Sequence, residues 1–234
     1  MNQTETFAGT VTLSNGQSQT VQPTWQSDNT TVLTFENGGV ARGRSNGTAT
    51  IIGTNQGLTA TRLIRVATDY QGTWAGEYVV RRCEDSGDFR DIDFCDREDG
   101  FYVGEVLELG LMLQQDRDQV NGQMALGSLE GITSGSVDAN GRYVGTGSVT
   151  VSEDGISLVF AVSPLSFNAD GDRLTGTFSV TVTAVGLTGQ GVLDAELTTM
   201  VRTASGVLPT GLPPTRGQSP SAGGLKGLVN RLKR

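Results

Sequence analysis

Two cysteines and a run of carboxylates are the residues of this chain with the most evident chemistry. Cys83 and Cys95 are its only cysteines, and the residues between them include five carboxylates and one arginine. Such a loop could hold a metal ion, supply acid–base catalysis or be closed by a disulfide bond. Zinc needs about four Cys, His or carboxylate ligands, and the chain has no histidine. A calcium loop alternates its oxygen ligands around a central glycine and ends on a glutamate, an order that residues 84–94 lack.

A disulfide bond is the favoured interpretation of the two cysteines. An exported chain with no other thiols would oxidise this pair, and closing a loop of this size contributes roughly 3 kcal/mol. Residues 84–99 carry eight acids, so the loop is expected to be solvated throughout. The sequence therefore predicts a stapled surface flap with no metal.

Catalysis by histidine is excluded, because the chain contains none. Carboxylate chemistry remains possible, since glycoside hydrolysis needs only two acids. Glu77 and Glu105 are a candidate pair, but a catalytic carboxylate needs a cleft that raises its pKa. A carboxylate-based hydrolase is therefore kept only as an alternative, and the leading expectation is a protein that is not an enzyme and has no cofactor.

The acidic residues belong to a segment whose pattern predicts a β-barrel. From Asp69 onward, alternating apolar and polar residues are separated by turn sequences such as DANG, SEDG and NADGD. Eight antiparallel strands in sequence order can close into an up-and-down barrel, which leaves no unpaired edge. The predicted strands are residues 72–82, 103–115, 119–126, 129–138, 142–151, 156–167, 173–184 and 189–202.

The first and last of these strands carry a resemblance to a known group of barrels. Gly72-Thr73-Trp74 opens the first strand, and Arg202 ends the last. With these residues, the segment of about 70–204 resembles the lipocalin-like (calycin-like) barrels, including lipocalin-like domains of secreted bacterial proteins. The resemblance implies that the Trp74 indole plugs one end while Arg202 packs across it in a cation–π contact. Simple alternation nevertheless places Arg202 on the same side as the polar Asp194 and Glu196.

The same resemblance implies an interior that could hold one small apolar ligand. An eight-stranded barrel can also be filled by its own side chains, so a purely structural module remains the alternative. The flap between Cys83 and Cys95 joins the first two strands and is expected to gate the barrel mouth. The candidate lining residues are Trp74, Tyr78, Leu109, Leu111, Phe160 and Phe178.

The first seventy residues have shorter strands and different turns. The Asn15-Gly16 turn between alternating residues predicts a hairpin. The residues that carry a resemblance are Trp25, Gly39, Gly47, Thr48, Ala49, Thr50, Ile51 and Val66. With them, residues 5–67 resemble a bacterial immunoglobulin-like domain of group 2, which implies a small antiparallel sandwich with Trp25 in its core. The family's first strand would precede residue 5, so the domain is expected to be truncated or completed by a strand from a neighbouring subunit or another strand donor.

The end of the chain is rich in Pro, Gly and Ser and then becomes basic and amphipathic. Residues 205–224 predict an extended linker. Leu225, Leu228, Val229 and Leu232 follow with helical spacing. This segment is expected to be either a frayed or disordered end, because short isolated helices are marginal, or a helix that docks on an anionic surface or an acidic barrel. Its charges are Lys226, Arg231, Lys233 and Arg234.

Charge is distributed unevenly along the chain. Residues 1–69 are balanced, residues 70–205 carry a net charge of −13, and residues 206–234 carry +5. Phosphate repulsion argues against nucleic-acid binding by the acidic segment. No stretch approaches the roughly 20 apolar residues that span a bilayer, and the first ten residues do not predict a signal peptide.

The sequence therefore predicts an all-β protein in three parts: a sandwich (1–68), a barrel (69–205) and a linker with a basic tail (206–234). Its expected function is non-catalytic. It would bind a small apolar ligand in the barrel, or a partner at the barrel rim. The expected location is extracellular, on the cell surface or in the periplasm.

Overall fold

A computed structural model describes residues 4–96, 100–153 and 155–204 of the chain, which is all-β. The chain divides into two compact units. The N-terminal unit contains the residues up to Asp69 together with Ala139–Gly141, and the barrel unit contains Tyr70–Asp138 and the residues from Arg142 onward. Among the described residues, no helix has the length and apolar character needed to cross a membrane.

The N-terminal unit contains eight strands in three sheets. A hairpin pairs β2 with β3 around the expected turn, where Gly16 has a φ of 82°. The other two sheets have the orders β1-β6-β5 and β4-β7-β8. The strands are β1 (Thr4–Thr6), β2 (Gly9–Thr12), β3 (Ser18–Val21), β4 (Thr24–Ser27), β5 (Leu33–Glu36), β6 (Val40–Gly43), β7 (Gly47–Asn55) and β8 (Leu58–Val66).

The two three-stranded sheets contribute to one small apolar core. Trp25 on β4 stacks on Phe35 of β5 with ring centroids 5.6 Å apart, and Phe7 packs against both rings. Ile64 and Val66 on β8 pack against this core but are only partly buried. The fully buried members are few, so the unit has a thin interior: Phe7, Val32, Leu33, Ala41, Ala49 and Ile51.

The barrel unit is a closed antiparallel barrel of eight strands. Each strand pairs with the next one along the chain, and the first pairs with the last, as the sequence predicts. The first strand extends three residues further than predicted, and the second begins three residues later. The strands are β9 (Gly72–Asp85), β10 (Val106–Asp116), β11 (Gln119–Leu126), β12 (Leu129–Val137), β13 (Tyr143–Glu153), β14 (Ile156–Asp170), β15 (Arg173–Ala184) and β16 (Gly191–Thr203).

The barrel interior is one continuous apolar cluster. Leu107, Leu109, Leu111 and Leu113 of β10 all point inward and are buried, as their alternation predicts. The cluster contains buried residues from all eight strands. The glycine-rich strand β12 contributes Val137. Large side chains fill the space that the strands enclose.

Register shifts change which residues face inward along three strands, β9, β14 and β16. On β14, Val162 and Leu165 both face the core, because the register with β15 shifts between them. On β16 the register with β9 shifts between Leu197 and Thr199. A bulge adds one residue and reverses the alternation beyond it, so Met200 and Arg202 face inward where the simple pattern places them outward.

Candidate functional site

One end of the barrel is closed by Trp74 and Arg202. Arg202 is the direct cross-strand partner of Trp74, and its guanidinium carbon lies 4.4 Å from the indole centroid. Simple alternation places Arg202 on the side of Asp194 and Glu196, but the bulge at Thr198 reverses the alternation of β16 and turns Arg202 toward Trp74. Arg202 also donates to the Gln71 carbonyl and lies 3.2 Å from an Asp172 carboxylate oxygen.

Glycine is required at the start of β9 by this arrangement. Gly72 has a φ of 125°, and a Cβ there would lie 3.3 Å from the Arg202 guanidinium. The Trp74 indole N–H donates to the Tyr70 carbonyl at 2.8 Å, which satisfies the buried polar atom. The Gly72-x-Trp74 pattern therefore has a local physical reason: glycine at position 72 leaves room for the Arg202 side chain to lie over the Trp74 indole.

Two tyrosines complete the closure of this end. The Tyr70 hydroxyl donates to the Phe167 carbonyl at 2.7 Å and accepts from the Tyr143 N–H at 3.0 Å. The Tyr143 hydroxyl lies 2.9 Å from the Thr133 hydroxyl. Burial raises the pKa of both tyrosines, so these hydroxyls stay neutral in ordinary buffers. The network ties three stretches of the barrel wall together across the interior.

The six candidate lining residues all lie inside the barrel. The Tyr78 ring packs edge-on against the Phe178 ring, with centroids 4.9 Å apart. Each of the six is at most 4% exposed and belongs to the single core cluster: Trp74, Tyr78, Leu109, Leu111, Phe160 and Phe178. They pack against one another and their neighbours, so a ligand among them would have to displace side chains.

The other end of the barrel is covered by the cysteine loop. The predicted disulfide between Cys83 and Cys95 is confirmed, with a Cα–Cα distance of 5.7 Å. A short helix, α1 (Asp88–Asp91), follows β9. The Asp88 carboxylate accepts from the Thr188 N–H and hydroxyl, which ties the helix to the turn between β15 and β16.

The expectation that this loop is solvated throughout is wrong. Phe89 and Phe94 are fully buried and pack against each other, and Phe101 packs against Phe94. A Cβ at Gly191 would lie 2.3 Å from the Phe94 ring, so β16 needs a glycine where the loop enters. The acids of the loop precede or separate these aromatic residues in the sequence. The disulfide bond therefore holds Phe89, Phe94 and Phe101 in this end of the barrel, where they form an apolar plug.

Glu105 is a buried carboxylate beneath this plug, just before β10. Leu107 and Tyr78 both face inward, and Glu105 shares their side of the wall. It is 8% exposed, and one carboxylate oxygen accepts from the Tyr102 N–H at 3.4 Å. Burial raises the pKa of Glu105 to about 7. Burial, and then the charge of Glu105, raise the pKa of Tyr78.

The structure does not bring the candidate catalytic pair together. Glu77 precedes the inward-facing Tyr78 and therefore lies on the outer face of β9, opposite Glu108 of β10. Glu105 lies on the inner side. Within the described residues, no group of three or more acids or cysteines is arranged to hold a metal ion. From the sequence, Glu105 is a candidate only as a member of the pair with Glu77. Glu105 is two residues before Leu107, so alternation places both on the inner side of the wall. That spacing is the signal that could have identified Glu105 as a buried carboxylate.

Acids on the outer wall are paired with arginines. Arg82 contacts Asp194 at 2.6 Å and Glu84 at 3.0 Å, and Arg81 contacts Glu196 at 2.8 Å. The hydrogen bond from Ser179 and the contact with Arg82 lower the pKa of Asp194. Exposed pairs of this kind contribute little to stability, so the arginines mainly offset part of the negative charge of the outer wall.

The N-terminal unit has an open groove beside an edge strand. A cavity of about 360 Å³ lies between the β1–β6 side of the unit and the end of β8. The core residues Phe7, Leu33 and Ala41 line its floor, and Ile64 and Val66 line one wall. β8 pairs with β7 on one side, and on its other side no described strand is hydrogen-bonded to it.

The predicted docking segment lies outside the described residues. It comprises the apolar Leu225, Leu228, Val229 and Leu232 and the basic Lys226, Arg231, Lys233 and Arg234.

Comparison with known proteins leaves the chain without a family assignment. No protein-family model, curated protein or solved structure matches it. Functional conclusions therefore rest on the residues and their geometry.

Proposed function

We propose that this chain is a non-catalytic, exported binding protein, and that its partner is an extended protein segment that adds as a strand to the outer edge of β8. The observation that carries the proposal is the groove of about 360 Å³ that runs beside this edge. In this proposal the N-terminal unit is an immunoglobulin-like module, and the added strand completes it.

The exposure of β8 supports strand addition. The strand is nine residues long, and Leu63 on its outer side is 69% exposed. Proteins usually blunt such edges with charges, bulges or a covering element, because an exposed edge pairs readily with another strand. In strand addition, main-chain hydrogen bonds provide affinity and side-chain pockets provide specificity. The groove over Phe7, Leu33 and Ala41 would receive apolar side chains from the added strand.

Charge on the same strand indicates the kind of partner. Arg62 lies on β8 and is exposed. Its positive charge would disfavour a second copy of β8 as the added strand, whereas an acidic segment would be attracted. The expected partner segment therefore alternates apolar and acidic residues.

A small apolar ligand inside the barrel is the other binding hypothesis. Its candidate lining residues are buried against one another, and both ends of the barrel are plugged, so entry would require the stapled flap to move. A purely structural role remains compatible with this filled interior. The geometry supports partner binding at the N-terminal unit better than ligand binding in the barrel.

The disulfide supports an exported location. Disulfides persist in oxidising compartments and are rare in the cytosol, and Cys83–Cys95 ties down the plug of the barrel. An extracellular, surface or periplasmic location is therefore part of the proposal.

The test is an array of nine-residue peptides that alternate apolar and acidic residues, each beside a scrambled control of the same composition. Binding by strand addition is expected to protect alternate amides of β8 from hydrogen exchange, because only alternate N–H groups point away from β7. Replacing Ile64 by Lys should abolish binding, and replacing the exposed Leu13 on the hairpin by Lys should not. Equal binding of ordered and scrambled peptides would refute strand addition.

A second measurement separates the ligand hypothesis. The fluorescent apolar probe N-phenyl-1-naphthylamine is expected to stay dark with the oxidised protein, since the interior is filled. Stoichiometric probe binding that Phe178→Trp abolishes would instead favour the barrel as the binding site.

A further inference from the structure

A short turn joins the aromatic plug of the mouth to β10, and Glu105 closes it. We call Tyr102–Glu105 the Glu105 turn. The Tyr102 N–H donates to the Glu105 carboxylate at 3.4 Å, and the Glu105 N–H donates to the Tyr102 carbonyl at 3.1 Å. The side chain and the main chain of Glu105 therefore both hold this turn.

The Glu105 turn connects the wall of the barrel to Phe101. The Val80 N–H donates to the Glu105 carbonyl at 2.9 Å, and the Gly104 N–H donates to the Val80 carbonyl at 2.8 Å. On the other side of the turn, the Phe101 N–H donates to the Phe94 carbonyl at 2.8 Å, and the two rings have centroids 5.1 Å apart. A movement of the turn is therefore transmitted to the plug through Phe101.

The tip of the turn lies in water although Glu105 is buried. Val103 is 62% exposed, and Gly104 is exposed as well. Gly104 has a φ of 94°, and a Cβ there would meet no atom within 4 Å. Segments with few contacts open at a low free energy, and hinges are single residues of this kind that absorb changes in φ and ψ. The carboxylate is thus separated from solvent by a turn that can open without the rest of the barrel.

The surroundings of Glu105 do not suit an ionised carboxylate. Its side chain shares the inner side of the wall with the buried Leu107 and Tyr78 and is itself 8% exposed. Within the described part of the chain it forms no ion pair, and the Tyr102 N–H is its one hydrogen-bond donor. A carboxylate that leaves water without a cation or several donors is strongly disfavoured. The closed turn therefore favours the protonated acid.

The ionisable residues of the neighbouring strands do not share this charge. Tyr78 faces Glu105 from β9, and burial and then the charge of Glu105 raise the pKa of Tyr78, so its hydroxyl stays neutral. Glu77 of β9 and Glu108 of β10 lie on the outer face of the wall. On these two strands Glu105 is thus the group whose titration adds charge to the mouth.

The charged residues of the cysteine loop are held elsewhere or lie in water. The Asp85 carboxylate accepts from the Cys95 N–H at 3.2 Å, and the Asp88 carboxylate accepts from the Thr188 N–H at 2.7 Å. The other described charges of the loop are exposed: Glu84, Arg90, Asp91, Asp93 and Asp96. The net charge of the loop is negative, so it does not compensate an ionised Glu105.

We propose that Glu105 is a proton-controlled latch of the barrel mouth. Its protonated carboxyl keeps the Glu105 turn closed and Phe101 in the plug, and its ionised carboxylate moves into water together with the turn, which withdraws Phe101 from Phe94. The mouth is then held shut in mildly acidic surroundings and opens more often in alkaline ones. This proposal is independent of strand addition at β8.

The size of the effect follows from where the carboxyl lies in the two forms. In the closed turn, burial raises the pKa of Glu105 from 4.5 to about 7, whereas in the open turn the carboxyl is in water and keeps its ordinary pKa. Between these two values the closed form binds more protons than the open form, so closure weakens as the pH rises. The equilibrium constant for opening is therefore expected to rise about 70-fold between pH 5 and pH 8.

Amide hydrogen exchange at pH 5 and pH 8, corrected for the intrinsic rate at each pH, tests the latch. The Val80 and Gly104 amides report the opening, because both form the hydrogen bonds that anchor the turn. Their protection is expected to fall about 70-fold from pH 5 to pH 8 in the native chain and to be independent of pH in Glu105→Gln. Glu130→Gln is the matched control, because Glu130 is exposed on β12, and it should keep the native pH dependence. Protection of the native chain that does not change with pH, or that changes equally in Glu105→Gln, would overturn the proposal.

Urea separates opening of the turn from unfolding of the barrel. A local opening exposes little surface, so exchange of the Gly104 amide should hardly respond to low urea concentrations, whereas amides in the middle of β15 should respond steeply. An equal response of both would count against the latch, since Glu105 would then reach water only when the whole barrel unfolds.

Limited digestion with chymotrypsin at pH 8 gives an independent readout. The peptide bonds after Phe101 and Tyr102 become accessible to the protease when the turn opens, so the rate of cleavage follows the population of the open form. Glu105→Gln should be cut at these bonds at least about tenfold more slowly than the native chain, with the fragments assigned by mass. Equal rates of cleavage at these two bonds would show that the carboxylate does not control the mouth.

Discussion

Replacing Glu105 by glutamine tests the one carboxylate that is buried among the described residues of the barrel. The side chain is 8% exposed beneath the stapled plug, and burial raises its pKa from 4.5 to about 7. Glutamine has nearly the same shape and is neutral at every pH, so it imitates the protonated acid. Its amide oxygen can still accept from the Tyr102 N–H, which lies 3.4 Å from the native carboxylate.

The size of the effect follows from the two pKa values. Between pH 4.5 and about 7 the folded protein keeps a proton that the unfolded chain has released, so stability falls as the pH rises through this range. Each pKa unit corresponds to about 1.4 kcal/mol, which gives a cost of about 3 kcal/mol at pH 8 and under about 1 kcal/mol at pH 5. Glu105→Gln removes this cost. The variant should therefore be more stable than the native barrel by about 3 kcal/mol at pH 8 and by much less at pH 5.

Urea unfolding at the two pH values measures this difference. A Trp25→Phe background leaves Trp74 as the only tryptophan, so that fluorescence reports the barrel unit. Glu130→Gln is the control, because Glu130 is exposed on the outer face of β12, and changes there are usually within about 0.5 kcal/mol. Equal stabilisation by Glu105→Gln at pH 5 and pH 8 would refute the reasoning, and so would destabilisation at pH 8.

Two other predictions concern the ends of the barrel. Trp74→Ala should destabilise the barrel by about 3–5 kcal/mol, because it leaves a cavity under Arg202; a loss within about 0.5 kcal/mol in the same urea assay would contradict the plug. Cys83→Ser with Cys95→Ser should cost roughly 3 kcal/mol and speed proteolysis within residues 84–95, and unchanged proteolysis would show that the loop is held without its staple. Alkylation of the native protein should modify no cysteine until it is reduced.

The strands of the barrel could be predicted because two local signals, residue alternation and turn sequences, indicated the same strand positions. Apolar alternation identified β10 and β15, and glycine-containing turns separated the strands. The same logic located the hairpin at Asn15-Gly16. These signals act between near neighbours in the chain, so no knowledge of distant contacts was needed.

The direction of Arg202 could not be predicted from alternation. One extra residue near Thr198 reverses the side that every later residue of β16 faces, and no turn residue marks the position. The resemblance based on Gly72-x-Trp74 gave the correct partner where the periodic pattern gave the wrong face. A bulge is decided by the fit of one strand to its neighbours, which is a non-local property.

The cysteine loop was misjudged for a different reason. Its many acids dominate the composition, but Phe89, Phe94 and Phe101 decide its position. Three aromatic rings bury enough apolar area to fix a loop, while the acids between them can remain in water. The count of charges therefore predicted the acidic outer surface of the loop, but it did not predict the aromatic side chains that the loop buries in the barrel.

Because both ends of the barrel are closed, a binding site is expected outside the barrel interior. Trp74 and Arg202 close one end and the stapled aromatic plug closes the other, so a binding event in the interior would have to break one of two well-packed contacts. The outer edge of β8 lies beside a groove and requires no such change. Binding there would leave the filled barrel intact, which is why we place recognition at this edge.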